Sequence, residues 1–327
     1  MKTGKLPNTL LERLIRTDNT DPSVLVGPRT GVDGAVVALS ECDLIAVSDP
    51  VTFETDRVGE HLAAINANDI AVMGGWPLYL LCVILLPPYM DESGVVRLFE
   101  GVKEAASKYN ISLIGGHTEI TDAVTRPVVS GTMLGVSLKK DFPTAARPGD
   151  VIIQINPVAV EGAVILAGCH RERLTACGAG RELIDAAAGL GDRYGLCIAA
   201  PAALCLEHDI RVMHDVTEGG ICGALSEMAL SSGCDFVIDR ASILTDPAAC
   251  EICRLLGIEI LGLIGSGSLL VVVDGADADP LLDALRGQGY EASAIGRAVK
   301  GCGRSRFSDG SPWPEILRDE LARITES

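Results

Sequence analysis

Within a helix expected at Val58–Met73, every position from Leu62 on is apolar or small apart from three, and the run closes on Gly74, Gly75 and Pro77, the residues that end helices. With no polar stripe it predicts a helix buried on all sides. Set into it are Asn66, Asn68 and Asp69. Burying an amide or a carboxylate without a compensating bond costs on the order of a few kcal/mol, so each needs a ligand, a metal or another chain segment as partner. Asn66 and Asp69 are one turn apart and share a face.

Around this helix the periodicity predicts a βα arrangement. An amphipathic helix is expected at Leu6–Arg16, then strands at Ala35–Leu39 and Leu44–Ser48. The segment Leu78–Leu86 is continuously apolar, which fits a strand covered on both faces. A helix at Glu92–Tyr109, a strand at Ser112–Ile114, a loop at Gly115–Arg126 and a strand at Pro127–Val136 complete the first half. Leu138–Asp150, with an Arg-Pro-Gly-Asp turn, reads as a boundary. Beyond it, helices are expected at Glu161–Ala167, Pro201–His208, Gly219–Ser231 and Asp279–Gln288, with strands at Ser268–Val273 and Ala292–Val299. The expectation is an α/β protein of two domains, residues 1–140 and 145–327.

Composition narrows the function. A chain of 327 residues can hold two cores, and 36 glycines with 4% aromatic residues suit tightly packed sheets. The net charge of −17 and the lack of a basic run argue against nucleic acid and against anionic membranes. An anionic ligand bound among these carboxylates would need divalent cations to mediate the contact. The most hydrophobic stretch, Trp76–Met90, is broken by three prolines and is too short to span a bilayer. Eleven scattered cysteines read as reduced cytosolic thiols, and Cys250 and Cys253, a lone CxxC, as ordinary helical residues.

Neither common phosphate loop, the Walker type or the strand-linked Gly-x-Gly-x-x-Gly, occurs. The chain offers instead Asp33, Asp49, Asp69 and Asp215, carboxylates able to hold Mg2+ against phosphate oxygens. Gly115 and Gly116 allow close backbone approach to a ligand, and Thr118 adds a hydroxyl. Thr217 is a candidate N-cap for a helix starting at Gly219 and Gly220, whose free N–H groups would face an anion. Singly, each Asp is more often a turn or cap residue, and His117 and His214 are more often structural; the signal is their combination.

In order along the chain, Gly31-Val-Asp33-Gly-Ala35, Ser48-Asp49, Asn66-Ala-Asn68-Asp69 through Gly74, Gly115-Gly116-His117-Thr118-Glu119 and Asp215-Val-Thr217-Glu218-Gly219-Gly220 resemble the motifs of the aminoimidazole ribonucleotide (AIR) synthase superfamily. The nearest resemblance within it is to hydrogenase maturation factors of the HypE type. It implies an N-terminal α/β domain whose sheet pairs with its copy in a homodimer, a covering C-terminal domain, and ATP with Mg2+ between them. Asp33, Asp49, Asp69 and Asp215 would be metal ligands. Asn66, Gly115, Gly116 and Thr118 would contact phosphates or metal-bound water, Thr217, Gly219 and Gly220 would border the nucleotide, and His117, Asp69 and Asp215 would be catalytic.

Two departures qualify that transfer. HypE proteins end in a cysteine that carries the carbamoyl group, whereas this sequence ends Arg323-Ile-Thr-Glu-Ser327, so a sulfur-borne reaction would need another thiol, with Cys302 as a remote candidate. His117 stands where many relatives have an acidic residue, which removes one negative charge. The expected protein is a cytoplasmic, homodimeric, Mg2+-dependent enzyme that activates a small substrate with ATP, with a maturation partner protein as a further expectation. A kinase resembling thiamine monophosphate kinase and a nucleotide-binding assembly module without turnover are the alternatives.

Overall fold

The computed structural model describes residues 22–26, 32, 34–39, 41–53, 55, 57–140, 142–316 and 318–325. The helix expected at Leu6–Arg16, and Gly31 and Asp33, lie outside the described residues. The architecture is α/β with two sheets, as expected. The first has the order β1-β2-β3-β7-β5-β6, with β4 also paired to β7. Its strands are β1 Val24–Val26, β2 Ala35–Ala38, β3 Asp43–Val47, β4 Pro50–Val51, β5 Gly75–Leu86, β6 Ser112–Ile120 and β7 Val128–Ser137. The second has the order β13-β10-β12-β8-β11-β9. It is built from β8 Val151–Ile155, β9 Ile210–Asp215, β10 Cys234–Ile238, β11 Leu269–Val273, β12 Ala292–Lys300 and β13 Ser305–Phe307.

Helix α1, Val58–Val72, lies between the two sheets and is buried at every position from His61 to Val72. Its side chains enter three separate cores. Leu62, Ile65, Ala67 and Ile70 pack on the first sheet, Ala71 and Val72 on β8, β9 and β11, and Ala64 among the helices of the second half. That surrounding explains an apolar run without a polar stripe. Close approach to the first sheet is set by glycine: a Cβ at Gly135 would stand 2.5 Å from Ile70 Cγ2, and one at Gly131 2.6 Å from Asn66 Nδ2.

Helix α2, Glu92–Lys108, is capped by Asp91, which accepts from Gly94 N–H, and packs beside α1 on the same sheet face. In the second half, β8 and β11 are buried at every residue; β11 is all Leu and Val, and the one polar residue of β8, Gln154, donates from Nε2 to the Asn156 and Leu244 carbonyls.

Two expectations about the first sheet are corrected. The strand predicted to be covered on both faces begins earlier, at Gly75, passing Pro77 by a register shift, and its burial alternates. Leu80, Cys82, Ile84 and Leu86 face α1 and α2, whereas Tyr79 and Val83, 45% and 41% exposed, face outward. Among the described residues, both side chains are left open to solvent. The loop predicted at Gly115–Arg126 is, as far as Ile120, the continuation of β6, paired in parallel with β5 from Tyr79↔Ser112 to Leu86↔Ile120. Gly116, at φ +147, lies so close to the Cys82 carbonyl that no other residue fits there. Two adjacent glycines look like a turn in sequence, and only the ladder to β5 makes them strand.

The second half holds elements the periodicity did not single out: β8, β9, β10, β13 and short helices at Arg171–Ala176, Arg181–Ala188 and Leu190–Tyr194. Their apolar stretches are too short for a period to declare itself.

Candidate functional site

Each polar residue of α1 has a distinct partner. Asn66 Oδ1 accepts the Asp49 N–H at 3.0 Å, and its Nδ2 donates to the carbonyls of Asp49 and Leu62. Its amide is therefore spent on fixing the Ser48–Asp49 turn rather than offered to phosphate. Asn68 points the other way: Nδ2 donates to Leu196 O at 3.0 Å and Oδ1 accepts Ile198 N–H at 2.8 Å, tying α1 to the second domain. Asp69, 3% exposed, follows one residue later.

Asp215 is the last residue of β9, an edge strand of the second sheet that packs directly on α1. It is 1% exposed, and neither carboxylate oxygen has a hydrogen-bond partner among the described residues. The neighbouring His214 Nδ1 instead bonds the Asp215 carbonyl at 2.7 Å, standing 3.6 Å from Oδ1. A carboxylate taken out of water with no donor is strongly disfavoured unless a cation joins it. Oxygen donors of this kind fit a hard divalent ion. Among the described residues no three His, Cys, Asp or Glu side chains converge as a ready-made cage. A cation here would take its remaining ligands from water and phosphate, as Mg2+ commonly does.

The structure brings Asp49, Asp69 and Asp215 onto adjoining elements, and leaves Asp33 outside the described residues. It separates His117 from them. In the parallel ladder His117 pairs with outward-facing Val83, while Thr118 pairs with inward-facing Ile84. His117 therefore projects from the face of the first sheet opposite α1, where its Nε2 lies 3.2 Å from Glu119 Oε2. Gly115, Gly116, His117 and Thr118 all border a cavity of about 410 Å3 beside β6, β5 and α2, together with Phe99 and Val102.

The helix following Asp215, α8 Gly220–Ser232, also departs from expectation. Its N-cap is Gly219 in the left-handed region, and Thr217 contributes its carbonyl, accepting Gly220 N–H at 3.0 Å, rather than a side-chain cap. The Gly219 N–H, expected to face an anion, is taken by Asp319 Oδ2 at 2.7 Å. Gly220, at φ +60, leaves no room for a Cβ against Leu261 O. Cys302 is exposed in the turn after β12, three strands from β9 and at the far end of the sheet from Asp215, which is level with Ala292 at the start of β12, too far to serve that site. Burial pushes Cys253 up to about 12, consistent with an inert helical thiol.

Sequence reasoning did not find the buried pair His61 and Glu161, which joins α1 to the helix α3 Val160–Cys169 at 2.7 Å. A histidine in the apolar run of α1 was its one visible signal.

Fold and site define a two-domain α/β protein with an acidic, oxygen-donor site where a shared helix meets the edge of the second sheet. The chain belongs to the AIR synthase related protein family: the N-terminal domain of that family matches residues 31–137 and the C-terminal domain residues 147–307. It is 29% identical over 260 residues to the carbamoyl dehydratase HypE of Cupriavidus necator, covering 78% of this chain and 71% of the relative. Among solved structures it is similar to a hydrogenase maturation protein HypE in complex with ATP, with a TM-score of 0.73 and 20% identity, covering 93% of this chain and 92% of that one. It is also similar to the chain of a HypE–HypF complex, with a TM-score of 0.70 and 18% identity over 86% of this chain and 92% of that one.

Proposed function

We propose that this protein is an ATP-using enzyme of the carbamoyl dehydratase type that serves the maturation of hydrogenase or a related metalloenzyme. The observation that carries the reading is the Asp215 carboxylate, buried with no hydrogen bond to either oxygen among the described residues, on a strand packed against the helix that bears Asp69. The likeness to carbamoyl dehydratases over more than two thirds of both chains supports it.

Dehydrating a carbamoyl group converts R–C(=O)–NH2 to R–C≡N. The carbonyl oxygen is a poor leaving group until ATP phosphorylates it, after which it departs in phosphate; the products are the nitrile, ADP, phosphate and a proton. Asp49, Asp69 and Asp215, with Asp33, would hold Mg2+, which supplies charge neutralisation to the phosphates. Asn66 fixes the Asp49 turn, and Asn68 fixes the second domain against α1, so that carboxylates from both domains meet one ligand. Gly219 and Gly220 border the nucleotide from the second domain. The HypE–HypF complex supports a maturation protein as partner.

The working form is a cytoplasmic homodimer. Tyr79 and Val83 on the outer sheet face and Leu113, Ile114 and Ile120 on the unpaired edge strand β6 are all exposed, and such an apolar surface beside an open edge calls for a covering copy. His117 and Glu119 lie on that face and would act there.

Calorimetric titration of ATP with and without Mg2+, with ADP formation followed on a carbamoyl-bearing thioester, tests the reading. Mg2+-dependent binding with carbamoyl-dependent ADP release is expected. Absence of ATP binding would overturn it, and turnover on a phosphate monoester instead would assign the kinase class.

A further inference from the structure

Three buried polar groups lie at the seam between the domains and take no part in the site above. His61 Nδ1 is 2.7 Å from Glu161 Oε1, and Glu161 Oε2 accepts the Ser266 N–H at 3.1 Å. His61 and Glu161 are 0% exposed and Ser266 1%. Yet His61 Nε2 has no hydrogen-bond partner among the described residues. Phe53 stands edge-on to the imidazole at 5.2 Å between centroids.

A carboxylate facing Nδ1 fixes the ring hydrogen there, which leaves the lone pair of the neutral ring on Nε2. Burial works to raise the Glu161 carboxyl, but the bonds from His61 and Ser266 outweigh it and hold the group below its ordinary range, so it stays an acceptor. The dyad shares its scaffold with the acidic site. His61 is on α1, as Asp69 is, and the loop carrying Ser266 touches the residue after Asp215, since a Cβ on Gly265 would be 3.0 Å from Val216 Cγ1. A carboxylate-oriented imidazole with an open Nε2 has the arrangement of a general base. As a purely structural pair it would leave a buried ring nitrogen unsatisfied, at a cost folding does not need to bear.

We propose that His61 Nε2, oriented by Glu161, accepts an N–H proton of the carbamoyl substrate. This rests on the dehydratase reading. As the carbonyl oxygen bonds to the γ-phosphorus and the bond to ADP breaks, one N–H proton passes to Nε2, giving an imidate phosphate. The C–O bond then breaks, the nitrile forms, and phosphate carries off the second N–H proton; His61 afterwards returns its proton to solvent. His61 is the catalytic residue and Glu161 a positioning residue, and substrate enters as the domains part at this seam.

His61→Asn is the deciding variant, because the Asn amide nitrogen falls where Nδ1 stands and keeps the Glu161 bond while Nε2 is lost. The expected result is a fall in kcat of about 10²–10⁴-fold with the KM for ATP and the melting temperature little changed. Glu161→Gln should lower kcat in the same way by misorienting the ring. Wild-type kcat in His61→Asn would overturn the proposal while leaving the dehydratase reading intact; absent wild-type turnover on any carbamoyl substrate would overturn both. Nitrogen NMR of the His61 ring gives a readout free of turnover: an unprotonated Nε2 beside a protonated Nδ1 is expected, and a protonated Nε2 would overturn the proposal even where His61→Asn fails to fold.

Discussion

Asn66 and the Asp49 peptide are bonded in both directions, Oδ1 accepting the N–H at 3.0 Å and Nδ2 donating to the carbonyl at 3.2 Å. The pair joins a helix to a turn 17 residues away, and the Asn66 amide reaches over Gly131, where a Cβ would stand 2.6 Å from Nδ2. One side chain thus decides where the Asp49 carboxylate begins.

Asn66→Ala should leave the Asp49 N–H without its partner, while the Asp49 carbonyl keeps the Gly131 N–H and the Leu62 carbonyl its helical bond, a loss of about 1–3 kcal/mol. Gly131→Ala should act in the same direction by pushing the amide off the turn. Urea unfolding measures both, and a loss under about 1 kcal/mol in each would show the turn is held by other contacts.

For Asp215→Asn the two readouts should move apart. Without metal, replacing a buried carboxylate that lacks donors by a neutral amide should leave the protein as stable or raise its melting temperature by a few degrees. Mg2+-dependent stabilisation by ATP, seen in the wild type, should disappear. A variant that still gains stability from Mg2+ and ATP would show that Asp215 is not a ligand.

Burial raises the Asp319 carboxyl to about 7, against the Gly219 and Leu321 N–H bonds that favour its charged form. The unfolded chain binds that proton only below about pH 4. The folded state therefore holds it more tightly, and the stability it contributes is full at about pH 4 and lost as the pH rises through about 7. Melting temperatures of wild type and Asp319→Asn between those limits should show the fall in the wild type and a flatter profile in the variant; parallel profiles would assign the pH dependence elsewhere.

Val83→Lys places a charge in the middle of the exposed outer face of the first sheet, where Val83 is 41% exposed and already tolerates water. The isolated chain should lose little stability. Sedimentation should report a dimer for the wild type and a monomer for the variant, since an unpaired charge buried at an interface costs several kcal/mol. An unchanged dimer would move the interface to another surface.

The acid-bearing motifs and the helix that carries three of their residues were legible because polar groups in an apolar run violate the pattern of a buried helix, and a violation has few explanations. The partner of each was not legible. Asn66 and Asn68 are two residues apart, and only the packing of α1 between two sheets turns one to the Asp49 turn and the other to Leu196 and Ile198. His117 reads in sequence as part of the same site, yet pairing with Val83 sets it on the other side of the sheet from Asp69. Gly115 and Gly116 read as a turn because their conformational freedom is local information, whereas the β5 ladder that extends them is not.

By itself the sequence determined the elements whose signal is local and long: the α1 run and its stop, the uniformly apolar strand β11, and the acidic loops that exclude an anionic partner without a cation. Tertiary structure alone decided which faces are covered, where Asp215 loses every donor, and that His61 meets Glu161 100 residues further on. The physical reason is range: helix and strand periods are set by neighbours within a few residues, while burial and hydrogen-bond pairing are set by whichever distant segment arrives at the same place.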